Sequence, residues 1–336
     1  MTLNKVSRHG LASLLFLAYL GCAQAGVYKC TDAKGHVFYR DTPCQELTTA
    51  KLPSHLSQLG NQDQTRLFMW KASSQKPGKG AAYLLGSMHF GSSEILPLPA
   101  RIMDAYIASD VLVVEANVEN SGAGEAARKL AEAGTYHDGS ILENHVKPAT
   151  WQKTLEAAKR LSLTEDAMKP QKPWMAALSL TATALKSAGY DQSMGIDQTM
   201  IKENGIKKPM LEIESVDQQV KLFEQFSPQE QEQMLLQSLQ DLNRGPDQFK
   251  QIIDAWKNGD VEAMDIIVRQ SFDAGATSNK LYQVLFSDRN TAMTNKIDEL
   301  LDDGRTYFIV IGAGHLGGEQ GVLKQLEAKG YTLTQS

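Results

Sequence analysis

The sequence predicts an α/β fold: a central sheet with flanking helices and a large all-α insertion, preceded by a small disulfide-linked β-hairpin domain. Three observations carry this reading. Short apolar runs stand near both ends of the main body, at "AAYLLGSM" (81–88), "DVLVVEAN" (110–117) and "TYFIVIG" (306–312), the second rich in β-branched residues. Between the second and third, apolar residues recur mostly at helical spacing. Strands at both ends with a helical block between them suit a sheet covered by helices.

Residues 1–25 read as an export signal. Lys5 and Arg8 precede the apolar run "LASLLFLAYL", and "AQA" at 23–25 is a small-x-small cleavage pattern before Gly26. The run is about half of the roughly 20 residues that span a bilayer, so no stable membrane anchor is expected. Gly21-Cys22 offers an alternative lipidation site, although Tyr19 stands where an aliphatic residue would be expected. A periplasmic or secreted protein is the expectation.

Residues 26–48 contain Cys30 and Cys44, which bracket two short strands around the turn "DAKG". Thiols of exported proteins tend to pair. A bridge closing a loop of about 15 residues would stabilise the fragment by roughly 3 kcal/mol. Metal binding by the two cysteines is the alternative. Residues 49–65 are polar, without a period, and read as a linker.

From residue 66 to 336 one domain is expected. "TRLFMWKA" (65–72) and "AAYLLGSM" read as strands joined through "SSQKPGKG", followed by a helix over 99–109 and the buried strand at 110–117. Helices are predicted at 122–133, 148–161, 172–188, 215–225, 228–243, 246–257, 260–274, 288–302 and 318–328. Further strands are predicted at "KPMLEI" (208–213), 306–312 and "GYTLTQ" (330–335). The formal charge of −5, with 42% hydrophobic and 22% charged residues, is that of a globular chain. It carries no basic patch, so nucleic acid is not an expected partner.

Two strand ends repeat one pattern. Gly86 and His89 follow the first buried strand, and Gly312 and His315 follow the last, both as Gly-x-x-His. Glycine would permit a sharp turn with positive φ and close approach of the backbone to a ligand. Imidazole would supply a metal ligand or a general base. Glu115 ends the strand "VLVV", where an unpaired buried carboxylate is costly; it needs a cation, a donor cluster or solvent, and the alternative is a structural salt bridge to a nearby arginine. Glu214 and Gln219 follow another strand, and their alternative is ordinary acidic or polar helix N-terminal character. Asp197 could cap a helix. Arg289 and Asn290 could be a helix-start pair or an anion clamp. HExxH, CxxC, Walker and GxSxG motifs are all missing from the sequence.

Residues 66–336 resemble the TraB/GumN family, which includes the Tiki proteases and PrgY. The resemblance rests on "LLGSMHFG", "SDVLVVEAN", "GTYHDGSILENHV", "KPWMAALSL", "GIDQTMI", "IESVDQQVKLF", "SDRNTAM" and "FIVIGAGHLGGEQGVLKQLEAKGY". Upstream, "GVYKCTDAKGHVFYRDTPCQ" resembles a small domain of unknown function found in bacterial envelope proteins. The family resemblance implies a metal-dependent hydrolase, peptidase-like and using Mn or Co, with Fe or Zn equally suited to such ligands. Carried onto this chain, His89, Glu115 and His315 would hold the divalent ion. Asp197, Glu214, Gln219 and Arg289 stand in other matched motifs and would have supporting roles. On chemical grounds Glu214 is the candidate general base or a carboxylate behind the ligands, and Arg289 could steady an anionic intermediate. The substrate would be a peptide or a small molecule. The alternative is a non-catalytic envelope protein that binds or sequesters a peptide or haem.

Overall fold

The computed structural model describes residues 28–31, 37–40, 66–117, 125–244, 247–272 and 276–336. The expected signal segment and linker lie outside these residues. In the N-terminal part, β1 (Tyr28–Thr31) pairs antiparallel with β2 (Val37–Arg40), with Cys30 opposite Phe38. Cys44 lies outside the described residues, so the disulfide is not among the described features.

Residues 66–336 form one body with a six-stranded sheet. Its strands are β3 (Met69–Ser74), β4 (Ala81–Ser87), β5 (Val111–Val114), β6 (Met210–Glu212), β7 (Thr306–Gly312) and β8 (Tyr331–Gln335). The spatial order is β6-β5-β7-β4-β3-β8. β6, β5, β7 and β4 run parallel, while β3 is antiparallel to both β4 and β8. Parallel strands need both faces covered. β5 is buried at every residue, and β7 at all but its first.

The helices provide that cover. α1 (Ala100–Ile107) links β4 to β5. Between β5 and β6 lie α2 (Glu125–Ala133), α3 (Pro148–Arg160), α4 (Glu165–Met168), α5 (Pro173–Ser187) and α6 (Ile196–Asn204). Between β6 and β7 lie α7 (Val216–Glu224), α8 (Pro228–Arg244), α9 (Asp247–Lys257), α10 (Val261–Gln270), α11 (Ala276–Tyr282) and α12 (Asp288–Leu300). α13 (Val322–Ala328) precedes the closing strand. The helical block is thus divided by β6 into two crossovers that return the chain to one sheet. α4, α6 and α11 are additions to the predicted set; each is nine residues or shorter, too brief to show a clear period. No helix of the described residues is long and apolar enough to cross a membrane.

Gly86 has a packing role that differs from the one expected. Neither Gly86 nor Gly312 has a positive φ. A Cβ at Gly86 would lie 2.4 Å from the Phe68 ring, and its carbonyl accepts a 2.7 Å hydrogen bond from Trp256 Nε1. The missing side chain makes room for the Phe68 ring, one residue before β3. Replacing Gly86 by Val is therefore expected to overpack this layer and cost about 1–3 kcal/mol, read as a lowered urea midpoint at unchanged slope.

Candidate active site

The four parallel strands place their C-terminal ends side by side, where open α/β sheets build ligand sites. Register sets the neighbours. Ser87 pairs with Gly312 across β4 and β7, Val114 with Val310 across β5 and β7, and Val114 with Glu212 across β5 and β6. The pairing continues past the strands, since Glu115 N–H donates to the Val310 carbonyl at 2.9 Å and Glu214 N–H to the Glu115 carbonyl at 2.8 Å. His89, His315, Glu115 and Glu214 thus emerge from four adjacent strand ends.

Arg289 joins three of them. Its Nε and Nη2 donate to both oxygens of Glu214, at 2.9 and 2.7 Å. Nη2 also donates to Glu115 Oε1 at 2.6 Å, and Nη1 to the Leu285 carbonyl and to His315 Nε2, each at 3.1 Å. All five guanidinium N–H groups can therefore be engaged. The side chain is held by an unusual backbone. A π-helical turn, Gln283–Ser287, separates α11 from α12 and immediately precedes Arg289. Such turns occur at functional sites and leave carbonyls for other donors; here the Leu285 carbonyl takes one. Burial opposes the charge on Arg289, but Glu115 and Glu214 outweigh it and raise its pKa.

The second oxygen of Glu115 accepts the Gly312 N–H at 2.8 Å, and Gln219 Nε2 lies 3.4 Å from the first. Gln219 reaches it from α7, whose N-terminus is fixed by a capping box between Ser215 and Gln218. His315 is fully buried. Its Nδ1 lies 2.6 Å from Asn290 Oδ1, while Asn290 Nδ2 donates to the Gln320 carbonyl at 2.9 Å. Asn290 therefore presents its oxygen as acceptor, which assigns the proton to Nδ1 and leaves Nε2 facing Arg289. Burial, then the Arg289 charge, holds His315 well below the ordinary histidine value of 6.5. His89 adds to the depression, so the two imidazoles sense each other.

His89 has its own partner. Its Nδ1 is 2.9 Å from Asp197 Oδ2, and Ser87 Oγ donates to Asp197 Oδ1 at 2.7 Å. Burial pushes the Asp197 carboxyl up, but His89 and Ser87 outweigh this and hold it below its ordinary value. Asp197 does not cap α6, whose N-cap is Gly195. A Cβ on Gly195 would sit 2.5 Å from the His89 carbonyl, and Ile196 N–H donates to the Met88 carbonyl at 2.9 Å. That close approach of two backbones is what delivers Asp197 to His89.

The five expected residues are brought to one end of the sheet, but two roles change. Glu214 has both oxygens committed to Arg289, so it is not placed to take a proton from water. Arg289 has no donor left for an intermediate and acts as a clamp. The expected ligand set also meets an obstacle. Both Glu115 oxygens are engaged, and a cation between Glu115 and His315 would have to displace the guanidinium. The described residues contain no group of three or more His, Cys, Asp or Glu arranged to hold a metal ion. Each imidazole is bonded through Nδ1 to an oxygen, and His315 Nε2 also lies 3.1 Å from Arg289 Nη1. Asp197 and Asn290 orient the two rings; the sequence alone reads Asp197 as a helix cap or supporting residue and Asn290 as part of a helix-start pair or anion clamp, not as partners of the histidines.

Residues 68–335 match the TraB/PrgY/gumN family model. The chain belongs to that family. Residues 12–57 match a domain of unknown function, DUF4124. Among curated relatives, the uncharacterized protein YbaP of Shigella flexneri is 28% identical over 244 residues, covering 72% of this chain and 86% of the relative. YbaP of Escherichia coli (strain K12) gives the same figures. An uncharacterized protein of Treponema pallidum (strain Nichols) is 22% identical, covering 83% and 84%. No solved structure matches the chain.

Two outcomes test this arrangement. Arg289→Met would leave buried carboxylates unpaired and should cost about 3–5 kcal/mol in urea unfolding; adding Glu115→Gln should recover part of the loss. The second concerns pH. His315 is neutral when folded and titrates near 6.5 when unfolded, so below about pH 6.5 the unfolded chain binds the extra proton. Stability should therefore fall as pH drops from 6.5, by up to about 1.4 kcal/mol per pH unit from this residue, and be unaffected by it above 6.5. His315→Gln should flatten that part of the profile.

Proposed function

We propose that the strand-end cluster is the active site of an exported hydrolase acting on amide or ester bonds, with a peptide as the leading substrate. The observation that carries this reading is the pair of buried imidazoles, each bonded through Nδ1 to an oxygen on a different helix. Asp197 orients His89 as an acceptor in the manner of a general base supported by a carboxylate. In the proposed step the oxygen of a water forms a bond to the substrate carbonyl carbon while its proton moves to His89 Nε2. The bond to the leaving nitrogen or oxygen then breaks, and that proton passes to the leaving atom. The Arg289 clamp keeps Glu115, Glu214 and His315 in register around the reacting atoms.

A second reading keeps a divalent ion, Mn, Co, Fe or Zn, and two observations favour it. Ligand histidines commonly donate their other ring nitrogen to an oxygen acceptor, as His89 and His315 are placed to do. Glu115 and Glu214 also carry one more negative charge than Arg289 balances. His89 and His315 would be the ligands, His315 only once its Nε2 parts from Arg289, and the ion would supply polarisation of a carbonyl or of water. The exported location of either enzyme rests on the leader pattern at 1–25 and the two cysteines after it.

A panel of variants assayed on a peptide library separates these readings. His89→Ala should abolish turnover, and Asp197→Asn should lower the rate by about a hundredfold or more without loss of fold. Chelation should leave the rate unchanged for the His–Asp mechanism and remove it for the metal mechanism. Full activity in a His89→Ala, His315→Ala variant would eliminate both mechanisms, whereas absence of turnover by the unmutated chain would favour a binding protein.

A further inference from the structure

We propose that a groove beside the cluster binds an extended peptide bearing Lys or Arg side chains, a substrate class that rests on the hydrolase reading above. The groove lies between α10, the π-helical turn and the Gly318–Gln320 loop, and encloses about 890 Å³. That is within the range of ligand sites, roughly 300–1,000 Å³. The strand-end residues are all buried, so a substrate must first engage a surface next to them.

The groove is joined to the cluster by hydrogen bonds. Gln320, on its wall, accepts from Asn290 through its carbonyl, and Asn290 accepts from His315. Ser287, also on the wall, donates to Gln320 Oε1 at 2.5 Å. The loop can press against α10 because of two glycines. A Cβ at Gly317 would meet the Val261 carbonyl at 2.7 Å, and Gly318 has φ +80°, a conformation that suits glycine.

Charge and shape indicate the ligand. The lining carries the carboxylates of Glu262, Asp265, Asp288 and Glu319 against one cation, Arg269. Arg269 is itself paired, with Nε at 2.8 Å from both Asp265 oxygens and its guanidinium 5.0 Å over the Tyr282 ring. The remaining potential is negative and open to solvent. Ile266, 54% exposed, and the edge of Tyr282 supply apolar surface between these charges. The amides of Asn279, Gln283 and Gln320 can pair with a peptide backbone. A long basic side chain would lay its methylenes on Ile266 and its charge against the acids.

The test uses the full chain carrying His89→Ala, so that bound peptide is not consumed. Fluorescence anisotropy is read with a labelled alanine-based peptide bearing two lysines and with the same peptide bearing two glutamates. The lysine peptide should bind at least tenfold more tightly, and Glu262→Gln with Glu319→Gln should weaken it about fivefold, with the effect shrinking as salt is added. Ile266→Arg should weaken it further, and thermal unfolding should be unchanged in these surface variants. Equal affinity for the two peptides, or lysine-peptide binding indifferent to the glutamine pair, would overturn the proposal. Charge-selective binding without cleavage by the unmutated chain would support the groove and remove the hydrolase. Cleavage with no preference for basic peptides would do the reverse.

Discussion

The guanidinium of Arg289 is the contact on which the candidate site depends. It meets two carboxylates, an imidazole and a main-chain carbonyl inside the protein, and is only 4% exposed. Either glutamate alone in that environment would carry a large desolvation cost. Together they are tolerable because the planar fork addresses both, through hydrogen bonds to ionised groups, which are the strong kind. The constraint runs backward into the fold. Glu115 and Glu214 come from neighbouring parallel strands, so the sheet order β6-β5-β7 is what brings two acids within reach of one arginine. The π-helical turn in turn sets the direction from which that arginine arrives.

Much of this was legible in the sequence, and the reasons are local. β5 and β7 are buried parallel strands that read as continuous apolar runs, and the Gly-x-x-His repeat marks the ends of β4 and β7 directly. Glu115 was visible as a charge ending such a run, and the arginine salt bridge weighed for it is the contact formed. The pairs His89–Asp197 and His315–Asn290 were not legible as pairs. Their members are 108 and 25 residues apart, and nothing in local periodicity reports which side chains meet across a sheet end. Glycine illustrates the same limit. Its presence at 86 was noticed, but the cause is the Phe68 ring and not backbone conformation.

The two imidazoles, alike in sequence, are unlike in environment. His89 faces a carboxylate through Nδ1. His315 faces a carboxamide on one side and a guanidinium on the other, which disfavours a second proton on its ring. A repeated motif therefore need not mean a repeated role. Here the neighbours that differ, Asp197 against Asn290 with Arg289, do the differentiating.

Those neighbours also bear on access. Asn290 sits one residue beyond Arg289 on α12, and its amide is held by the carbonyl of Gln320 at the groove wall. A ligand pressing on the Gly318–Gln320 loop would move the group that holds Asn290, and Asn290 holds the proton of His315. Because packed interiors shift between discrete arrangements and do not deform continuously, a small displacement there would change how His315 Nε2 addresses Arg289. Occupation of the groove and the orientation of His315 are thus linked through one hydrogen-bonded chain, Gln320 to Asn290 to His315.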